Sequence, residues 1–297
     1  MINLNKTREE IIVSLTTWKP RIHNIPVVLE SIYAQTIQPD KVVLNIAFDE
    51  VIPENIQKYI DIHQIEVNYV PDTKVYKKFL PTLLKYPRAC VINIDDDCIY
   101  PETMLEDFMD LHAQYPQYPI SGNHLIHDGM QCHCGCASMT KAAYFGDWLN
   151  KIDDELMSKC LSSDIVFTYL AALNGHPYIH TKREYFTNVL QCSLGNYSYS
   201  EQIIQKQGDG IAKSYSYLQE HFGRPQNLMK YYVGEGYIAD FLMDVIKEMQ
   251  KNIDLQITDA AMHAEQKVRL SKTYRLGQIL LAPFKLFRRC LNLINYV

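Results

Sequence analysis

Short apolar runs alternate with amphipathic segments through the first third of the chain. The runs cover residues 11–15, 41–47, 65–70 and 91–94, each of which we predict as a strand, and the scarcity of polar residues in the last run is typical of a strand that is covered on both faces. Apolar residues recur every three or four positions over 24–33, which predicts a helix, and a second helix is predicted over 53–61. This spacing is that of βαβ units, so it predicts a Rossmann-like α/β fold with a mainly parallel central sheet and helices on both faces.

The rest of the chain is predicted to complete this domain and then to form a helical extension. We predict helices at 101–114, 153–159, 164–173, 212–221 and 238–251, a last strand at 177–181, strands and loops at 120–140, and a loop at 185–210. The predicted division is therefore an α/β domain over residues 1–210 and a helical C-terminal extension over 211–297.

Three consecutive carboxylates end the fourth apolar run. In open α/β sheets ligands bind beyond the carboxyl ends of the strands, so Asp95, Asp96 and Asp97 are predicted to lie at the mouth of a site. Carboxylates this close repel one another and raise each other's pKa unless a cation lies between them. If the strand geometry persists, Asp95 and Asp97 point the same way, and their hard oxygen atoms favour Mg²⁺ or Mn²⁺. The alternative interpretation is a solvated acidic turn before a helix that begins near Pro101.

The composition is that of a folded globular protein, and the charge distribution argues against one class of partner. Of the 297 residues, 47% are hydrophobic and 21% are charged, which are ordinary values. The net charge is -5, but residues 266–297 contain seven Lys and Arg and no acid, which leaves 22 basic and 34 acidic residues in the remainder. Because nucleic acid requires a basic face, an acidic body argues against it as the main partner.

Neither a targeting segment nor a metal-binding cysteine motif is predicted. The start MINLNKTREE has no apolar stretch before a cleavage site, and eighteen consecutive apolar residues occur nowhere, so we expect a cytoplasmic chain with reduced cysteines. The motif Cys132-His133-Cys134-Gly135-Cys136 differs in spacing from structural zinc sites, which favours packing of the thiols on one strand face over zinc binding. Separate candidate metal ligands are His124, His127, His176 and His180.

Four segments of the chain, taken together and in order, resemble one enzyme family. They are IIVSLTTWKPRIHNIPVVLESIYAQTIQPDKVVLNIA, DTKVYKKFLPTLLKYP, VINIDDDCIYP and SSDIVFTYLAALNG. They are similar in order and spacing to the GT-A-fold glycosyltransferases, in particular to bacterial enzymes akin to family 2 that build surface polysaccharides. The resemblance covers roughly residues 11–181. It implies that residues 1–210 form a nucleotide-sugar-binding catalytic domain.

The resemblance implies a role for residues in each segment. Donor binding falls on Thr16, Thr17, Arg21, Lys77, Lys78, Asp95 and Asp96. The family's Asp-x-Asp motif, which bridges the ribose and the metal-bound diphosphate, matches Asp95 and Asp97, and His180 is nominated as a further metal ligand. The family's catalytic base matches Asp164. His133 or Gly135 would line the acceptor side of the cleft.

The chain departs from the family pattern at two positions. Ser163 replaces an acidic neighbour of the catalytic base, and Asp49 comes two residues late for the position that reads the nucleotide base. Asp164 also has a structural interpretation, because Ser162-Ser163-Asp164 is a helix start in which Ser caps the helix and the macrodipole favours Asp. The resemblance favours the catalytic interpretation.

The resemblance implies transfer of a sugar from a nucleotide-diphosphate sugar, expected to be UDP-linked, to a glycan or lipid-linked acceptor in surface polysaccharide biosynthesis. Mn²⁺ or Mg²⁺ on the paired carboxylates would stabilise the departing diphosphate, and a carboxylate base opposite the leaving group would invert the anomeric configuration. A retaining arrangement stays open. One alternative is a sugar nucleotidyltransferase, although LTTWKPRI lacks its Gly-rich basic loop; another is a non-catalytic membrane-associated subunit. A glycosidase with two acids is disfavoured by the metal-like triplet.

The last 27 residues form a basic and apolar tail. In SKTYRLGQILLAPFKLFRRCLNLINYV, basic residues alternate with Leu, Ile and Phe, a pattern that suits a helix lying on an anionic membrane. We therefore expect peripheral association with the inner face of the cell membrane through residues 266–297. The alternative is a terminal helix that packs on its own domain or on a second subunit.

Overall fold

A computed structural model describes residues 9–123, 126–127, 130–133, 136–181, 185, 210–225, 250–251 and 253–263 of the chain. The chain divides into two compact units, residues 1–234 and 235–297. The described part of the second unit is helical over 253–263 and exposes several apolar side chains, including Ile253, Leu255 and Ile257. Most of the predicted helix 238–251 and all of the tail 266–297 lie outside the described residues. No helix in the described part is long and apolar enough to cross a membrane.

The first unit is organised around a seven-stranded sheet. Its strands are β1 (Ile11–Thr16), β2 (Lys41–Ala47), β3 (Glu66–Val70), β4 (Cys90–Ile94), β5 (Ile120–Ser121), β8 (Ala137–Thr140) and β9 (Ile179–His180). Their spatial order is β3-β2-β1-β4-β8-β5-β9. A separate antiparallel pair joins β6 (Ile126–His127) to β7 (Met130–Gln131). The mainly parallel sheet confirms the predicted fold class.

The chain leaves the middle of the sheet in both directions, which creates a switch point between β1 and β4. β2 and β3 follow β1 on one side, and β4 then pairs with β1 in parallel on the other side. β8 runs antiparallel to both β4 and β5, and β9 is parallel to β5, so β8 alone of these seven strands is reversed. Ligands of open α/β sheets bind where the strand order reverses, at the carboxyl ends of the strands.

The described helices of the first unit are α1 (Ile25–Tyr33), α2 (Glu54–His63), α3 (Leu80–Lys85), α4 (Met104–Gln114), α5 (Asp154–Lys159), α6 (Ser163–Leu173) and α7 (Gly210–Phe222). α6 is buried almost all round, which explains why its sequence SDIVFTYLAAL is apolar on every face. α7 packs against α6 and buries Leu218 in the same core cluster.

The structure confirms most of the predicted elements and corrects their ends. β2 has the predicted bounds, whereas the helix predicted over 101–114 begins only at Met104, after a turn. The strand predicted over 177–181 is reduced to Ile179–His180. The loop predicted over 185–210 lies almost wholly outside the described residues, and the proposed division at residue 210 stays a prediction.

Candidate active site at the switch point

The predicted site residues of β1 and β4 lie on neighbouring strands. Ser14 of β1 pairs with Asn93 of β4, so the residues that follow each strand emerge side by side at the carboxyl edge of the sheet. Thr17 follows β1, and the acidic triplet begins directly after β4. The topology therefore brings these two segments, 79 positions apart, to one place.

Asp96 is an anchored carboxylate. Its Oδ2 accepts a hydrogen bond from Thr17 Oγ1 at 2.6 Å, and its Oδ1 accepts one from Arg21 Nη1 at 2.9 Å. Burial raises the pKa of Asp96, and these two donors oppose the rise without cancelling it. With both oxygen atoms already engaged by protein groups, Asp96 joins the loop after β1 to the end of β4.

Arg21 bridges the middle and last carboxylates of the triplet. The same Nη1 atom lies 2.9 Å from Asp97 Oδ2. Burial lowers the pKa of Arg21, but attraction to Asp96 and then to Asp97 raises it by more. The pKa of Arg21 therefore lies above its ordinary value, and the guanidinium stays charged. Burial and then repulsion from Asp95 raise the pKa of Asp97 to about 6, against the attraction of Arg21. Asp97 thus retains uncompensated repulsion despite its cationic neighbour.

Asp95 is paired with a different cation. Lys78 Nζ donates to Asp95 Oδ1 at 2.6 Å. Burial alone would raise the pKa of Asp95, yet Lys78 and then a hydrogen bond from the Cys136 thiol leave it lowered. Tyr100 fixes the turn itself, because its hydroxyl accepts from the backbone N–H of Asp95 and donates to the Cys136 carbonyl.

A buried polar network holds the backbone of Lys78. The Ser14 hydroxyl donates to the Lys78 carbonyl at 2.6 Å and lies 2.6 Å from Thr82 Oγ1. The amide of Asn45 on β2 donates to Thr82 Oγ1 at 2.9 Å. All three side chains are buried, so the position of the Lys78 backbone is set by β1, β2 and α3 together.

Asp164 lies near the paired Lys78 and Asp95. It occupies the first turn of α6 and is half-buried. Burial lowers the pKa of Lys78, but Asp95 and then Asp164 raise it, which leaves a net increase. The structure therefore brings the predicted base within electrostatic range of Lys78, the partner of Asp95. Ser162, at the N-cap, makes no capping hydrogen bond through its side chain within the described structure.

Three other predicted site residues have partners away from the triplet. Lys77 Nζ pairs with Asp72 Oδ1 at 2.8 Å, and the Thr16 hydroxyl donates to the Asn45 carbonyl at 2.6 Å. His180 is buried on β9, three strands from β4, or about 14 Å at ordinary strand spacing. The roles of these residues in donor and metal binding stay predictions.

The CHCGC motif divides between the core and the site. Cys132 is fully buried in the main core cluster, as the packing interpretation predicts. His133 is also buried and stacks on Phe79, with Nδ1 3.1 Å from Tyr178 Oη. Burial, followed by the nearby Lys78, lowers the pKa of His133 well below its ordinary value, so the imidazole is neutral. Cys134, Gly135 and His124, together with the side chain of His127, lie outside the description.

Two thiols at the site were missed by sequence reasoning. One carboxylate oxygen of Asp95 and the sulfur atoms of Cys98 and Cys136 all lie within 4.8 Å of one another. Because Cys98 directly follows the triplet in the sequence, its presence at the site could have been predicted. Cys136 reaches Asp95 because Ala137 of β8 pairs with Ile94 of β4, and no local pattern indicates this antiparallel register.

No protein-family model matches the chain, and no curated protein matches it. Among solved structures, it is similar to a mannosyltransferase, PcManGT from Pyrobaculum calidifontis, in complex with GDP-Man and Mn²⁺, with a TM-score of 0.55 and 14% identity over 93% of this chain and 85% of that chain. For S. aureus TarS in complex with UDP, the TM-score is 0.44, with 13% identity over 59% of each chain. For a cytidylyltransferase from Leptospira borgpetersenii, the TM-score is 0.40, with 11% identity over 73% of this chain and 96% of that chain.

The first of these likenesses shows the fold. The chain shares its fold with this mannosyltransferase, in agreement with the GT-A fold that the resemblance of its motifs implies.

Proposed function

We propose that the chain is a metal-dependent glycosyltransferase that moves a sugar from a nucleotide-diphosphate sugar to a glycan or lipid-linked acceptor. The observation that carries the proposal is the arrangement at the switch point. Three carboxylates are held there by two cations, the half-buried Arg21 and the buried Lys78, and a fourth carboxylate, Asp164, acts electrostatically on Lys78. A UDP-linked sugar is the proposed donor.

The donor set fits a hard divalent cation. Arg21 and Lys78 supply two positive charges against the three negative charges of the triplet, and burial, followed by repulsion from Asp95, raises the pKa of Asp97. Carboxylate oxygens are the ligands that Mg²⁺ and Mn²⁺ prefer. Asp97 and Asp95 are the residues that would hold the ion. When bound, the ion would stabilise negative charge on the departing diphosphate as a Lewis acid.

The protein groups divide the remaining work. Arg21 and Lys78 add fixed positive charge at the place where diphosphate charge develops, in a partly buried setting that strengthens electrostatic interactions. Asp164 takes the proton of the acceptor hydroxyl as the acceptor oxygen bonds to the anomeric carbon and the bond to the diphosphate breaks. A single displacement of this kind inverts the anomeric configuration. The Lys78 ammonium favours the ionised form of Asp164, which is the form that accepts a proton.

The test is thermal unfolding of the full chain with UDP and GDP, each with and without Mn²⁺. A ligand that binds only the native state stabilises it by about 2.7 kcal/mol at a hundred times its dissociation constant. We expect one nucleotide to stabilise the protein in the presence of Mn²⁺ and the effect to be lost in Asp97→Asn. The matched control is Asp110→Asn, which changes an exposed carboxylate of α4. Equal responses of the two variants would contradict the proposal.

Turnover separates the transferase from its rivals. With the stabilising nucleotide carried by a sugar, we expect Mn²⁺-dependent release of the nucleoside diphosphate, lowered in Asp164→Asn by roughly 10²- to 10⁴-fold. Pyrophosphate release from a nucleoside triphosphate and a sugar phosphate would indicate a nucleotidyltransferase instead. Donor binding without any turnover would indicate a non-catalytic subunit.

We further propose that the tail holds the enzyme on an anionic membrane at the cytoplasmic face, beside lipid-linked acceptors of surface polysaccharide synthesis. The support is the charge pattern of residues 266–297, which carry seven basic residues and no acid. Sedimentation with phosphatidylglycerol vesicles should carry down the full chain but not an Arg288→Glu/Arg289→Glu variant. The control is Lys58→Glu on exposed α2. Equal sedimentation with phosphatidylcholine vesicles would contradict an electrostatic attachment.

A further inference from the structure

A second cluster of metal-ligating side chains lies at the opposite end of β4. One carboxylate oxygen of Glu9, the Cys90 sulfur and one ring nitrogen of His112 all lie within 4.8 Å of one another. Cys90 begins β4 and Asp95 follows its end, so the two ends are about 16 Å apart along an extended strand. The cluster is therefore separate from the candidate active site.

The geometry converges on one carboxylate oxygen. Glu9 Oε2 lies 2.7 Å from His112 Nε2 and 3.1 Å from Cys90 Sγ. Glu9 precedes β1, while His112 lies in the last turn of α4. Three different parts of the chain thus direct an oxygen, a nitrogen and a sulfur at a common point.

We propose that Glu9, Cys90 and His112 form a zinc site that ties the amino ends of β1 and β4 to the end of α4. A thiolate, an imidazole and a carboxylate are the three ligand types that Zn²⁺ uses in proteins. Manganese and magnesium prefer oxygen ligands, so the chemistry of this cluster differs from that of the acidic triplet. On binding, the thiol proton passes to solvent and the thiolate coordinates the ion.

The surroundings support coordination through these atoms. The other ring nitrogen of His112, Nδ1, faces the Tyr144 hydroxyl at 3.4 Å, which leaves Nε2 directed at the cluster. Metal-bound histidines ordinarily use their second nitrogen in such an orienting hydrogen bond. Cys90 and His112 are buried, whereas the Glu9 side chain is 42% exposed. To reach the spacing of a tetrahedral zinc site, the Glu9 oxygen must move a few tenths of an ångström away from the Cys90 sulfur and the His112 nitrogen. The partly exposed Glu9 side chain can make this movement while the two buried ligands stay in place.

The opposing charge in the cluster is a lysine. Lys141 Nζ lies 2.6 Å from Glu9 Oε1, the oxygen that faces away from His112 and Cys90. Zinc on Oε2 would leave this ion pair in place. Because the ammonium repels a divalent ion, affinity must come mainly from the buried thiolate and imidazole. This is why the cysteine and histidine variants are the decisive ones.

The experiment is a zinc titration of the reduced, chelator-treated full chain against a chromophoric zinc indicator. We expect one equivalent with a Kd of about 1 μM or tighter. Loss of a second-shell partner alone weakens metal sites by about 10- to 100-fold, so Cys90→Ala and His112→Gln should each lose at least about tenfold. The matched controls are Cys160→Ala and Cys98→Ala, which remove buried thiols elsewhere and should keep the equivalent.

Two further readouts keep the inference testable if a buried variant fails to fold. Cobalt should give a thiolate charge-transfer band in the parent protein and in Cys160→Ala, and no band in Cys90→Ala. Glu9→Gln changes a partly exposed ligand, so its fold should persist by circular dichroism, while zinc raises its unfolding temperature by less than in the parent. Absence of a bound equivalent, or unchanged affinity in Cys90→Ala and His112→Gln, would overturn the site and leave an ion-pair cluster.

Discussion

Replacing Lys78 with methionine tests whether the candidate active site depends on charge balance. Lys78→Met removes the ammonium 2.6 Å from Asp95 while keeping a side chain of similar length in a mostly buried position, 11% exposed in the parent. Asp95 then loses the ammonium that pairs with it, and the positive charge that remains beside the triplet among the described residues is that of Arg21. Removing one member of a buried ion pair typically costs about 3 to 5 kcal/mol of unfolding free energy. The Asp95 side chain is 26% exposed, so hydration reduces the expected loss to about 3 kcal/mol.

The distinguishing expectation is recovery by a divalent ion. If Mn²⁺ binds to these carboxylates, it replaces the lost positive charge, and the loss in unfolding free energy should shrink to about 1 kcal/mol at saturation. The assay is urea denaturation in a chelator and in excess Mn²⁺. Lys77→Met is the matched control, because it removes a neighbouring lysine that pairs with Asp72 instead, and its loss should not depend on Mn²⁺. An equal, metal-independent loss in both variants would refute the reasoning.

Three more predictions concern stability. In Gly122→Ala the new Cβ would lie 2.7 Å from the Ala137 carbonyl oxygen, so we expect a loss of about 1–3 kcal/mol in urea denaturation, and an unchanged midpoint would contradict this close approach. Burial raises the pKa of Glu66, but Lys85 and other donors lower it to about 2. The ionised Glu66 therefore contributes to the free energy of unfolding above pH 4.5, and this contribution is lost as the pH falls toward 2. Stability measured across that window should therefore fall less steeply in Glu66→Gln than in the parent. Ser14→Ala removes three buried hydrogen bonds and should cost about 1–3 kcal/mol by the same assay, unlike the exposed Ser158→Ala.

Local patterns were sufficient to predict the strands and the acidic end of β4. β1, β2 and β4 are buried on both faces, so their apolar runs are nearly continuous, whereas the edge strand β3 is mostly half-buried and alternates polar with apolar residues. The acidic triplet was recognisable because nothing in a buried strand explains three successive carboxylates. Both features depend on residues adjacent in sequence, where side-chain chemistry alone decides the outcome.

The partners of the triplet could not be predicted, because they depend on strand order and register. Arg21 reaches Asp96 and Asp97 only because β4 lies beside β1, although β3 precedes it in sequence. Cys136 reaches Asp95 only because β8 is inserted in the reverse direction. Such pairings are settled by the packing of the whole sheet, and the sequence offers no periodic signal for them.

Charge balance also explains how three carboxylates can follow a buried strand. Asp95 is neutralised by Lys78, and Asp96 by Arg21 and the Thr17 hydroxyl, so these two are anchored from opposite sides of the turn. Arg21 is shared with Asp97, and burial, followed by repulsion from Asp95 and Asp96, raises the pKa of Asp97 to about 6 against the attraction of Arg21. The residual negative charge is therefore concentrated on Asp97. That is where an added divalent cation would relieve the most repulsion, which makes Asp97 the member of the triplet most suited to initiate metal binding and Asp96 the one most suited to hold the fold.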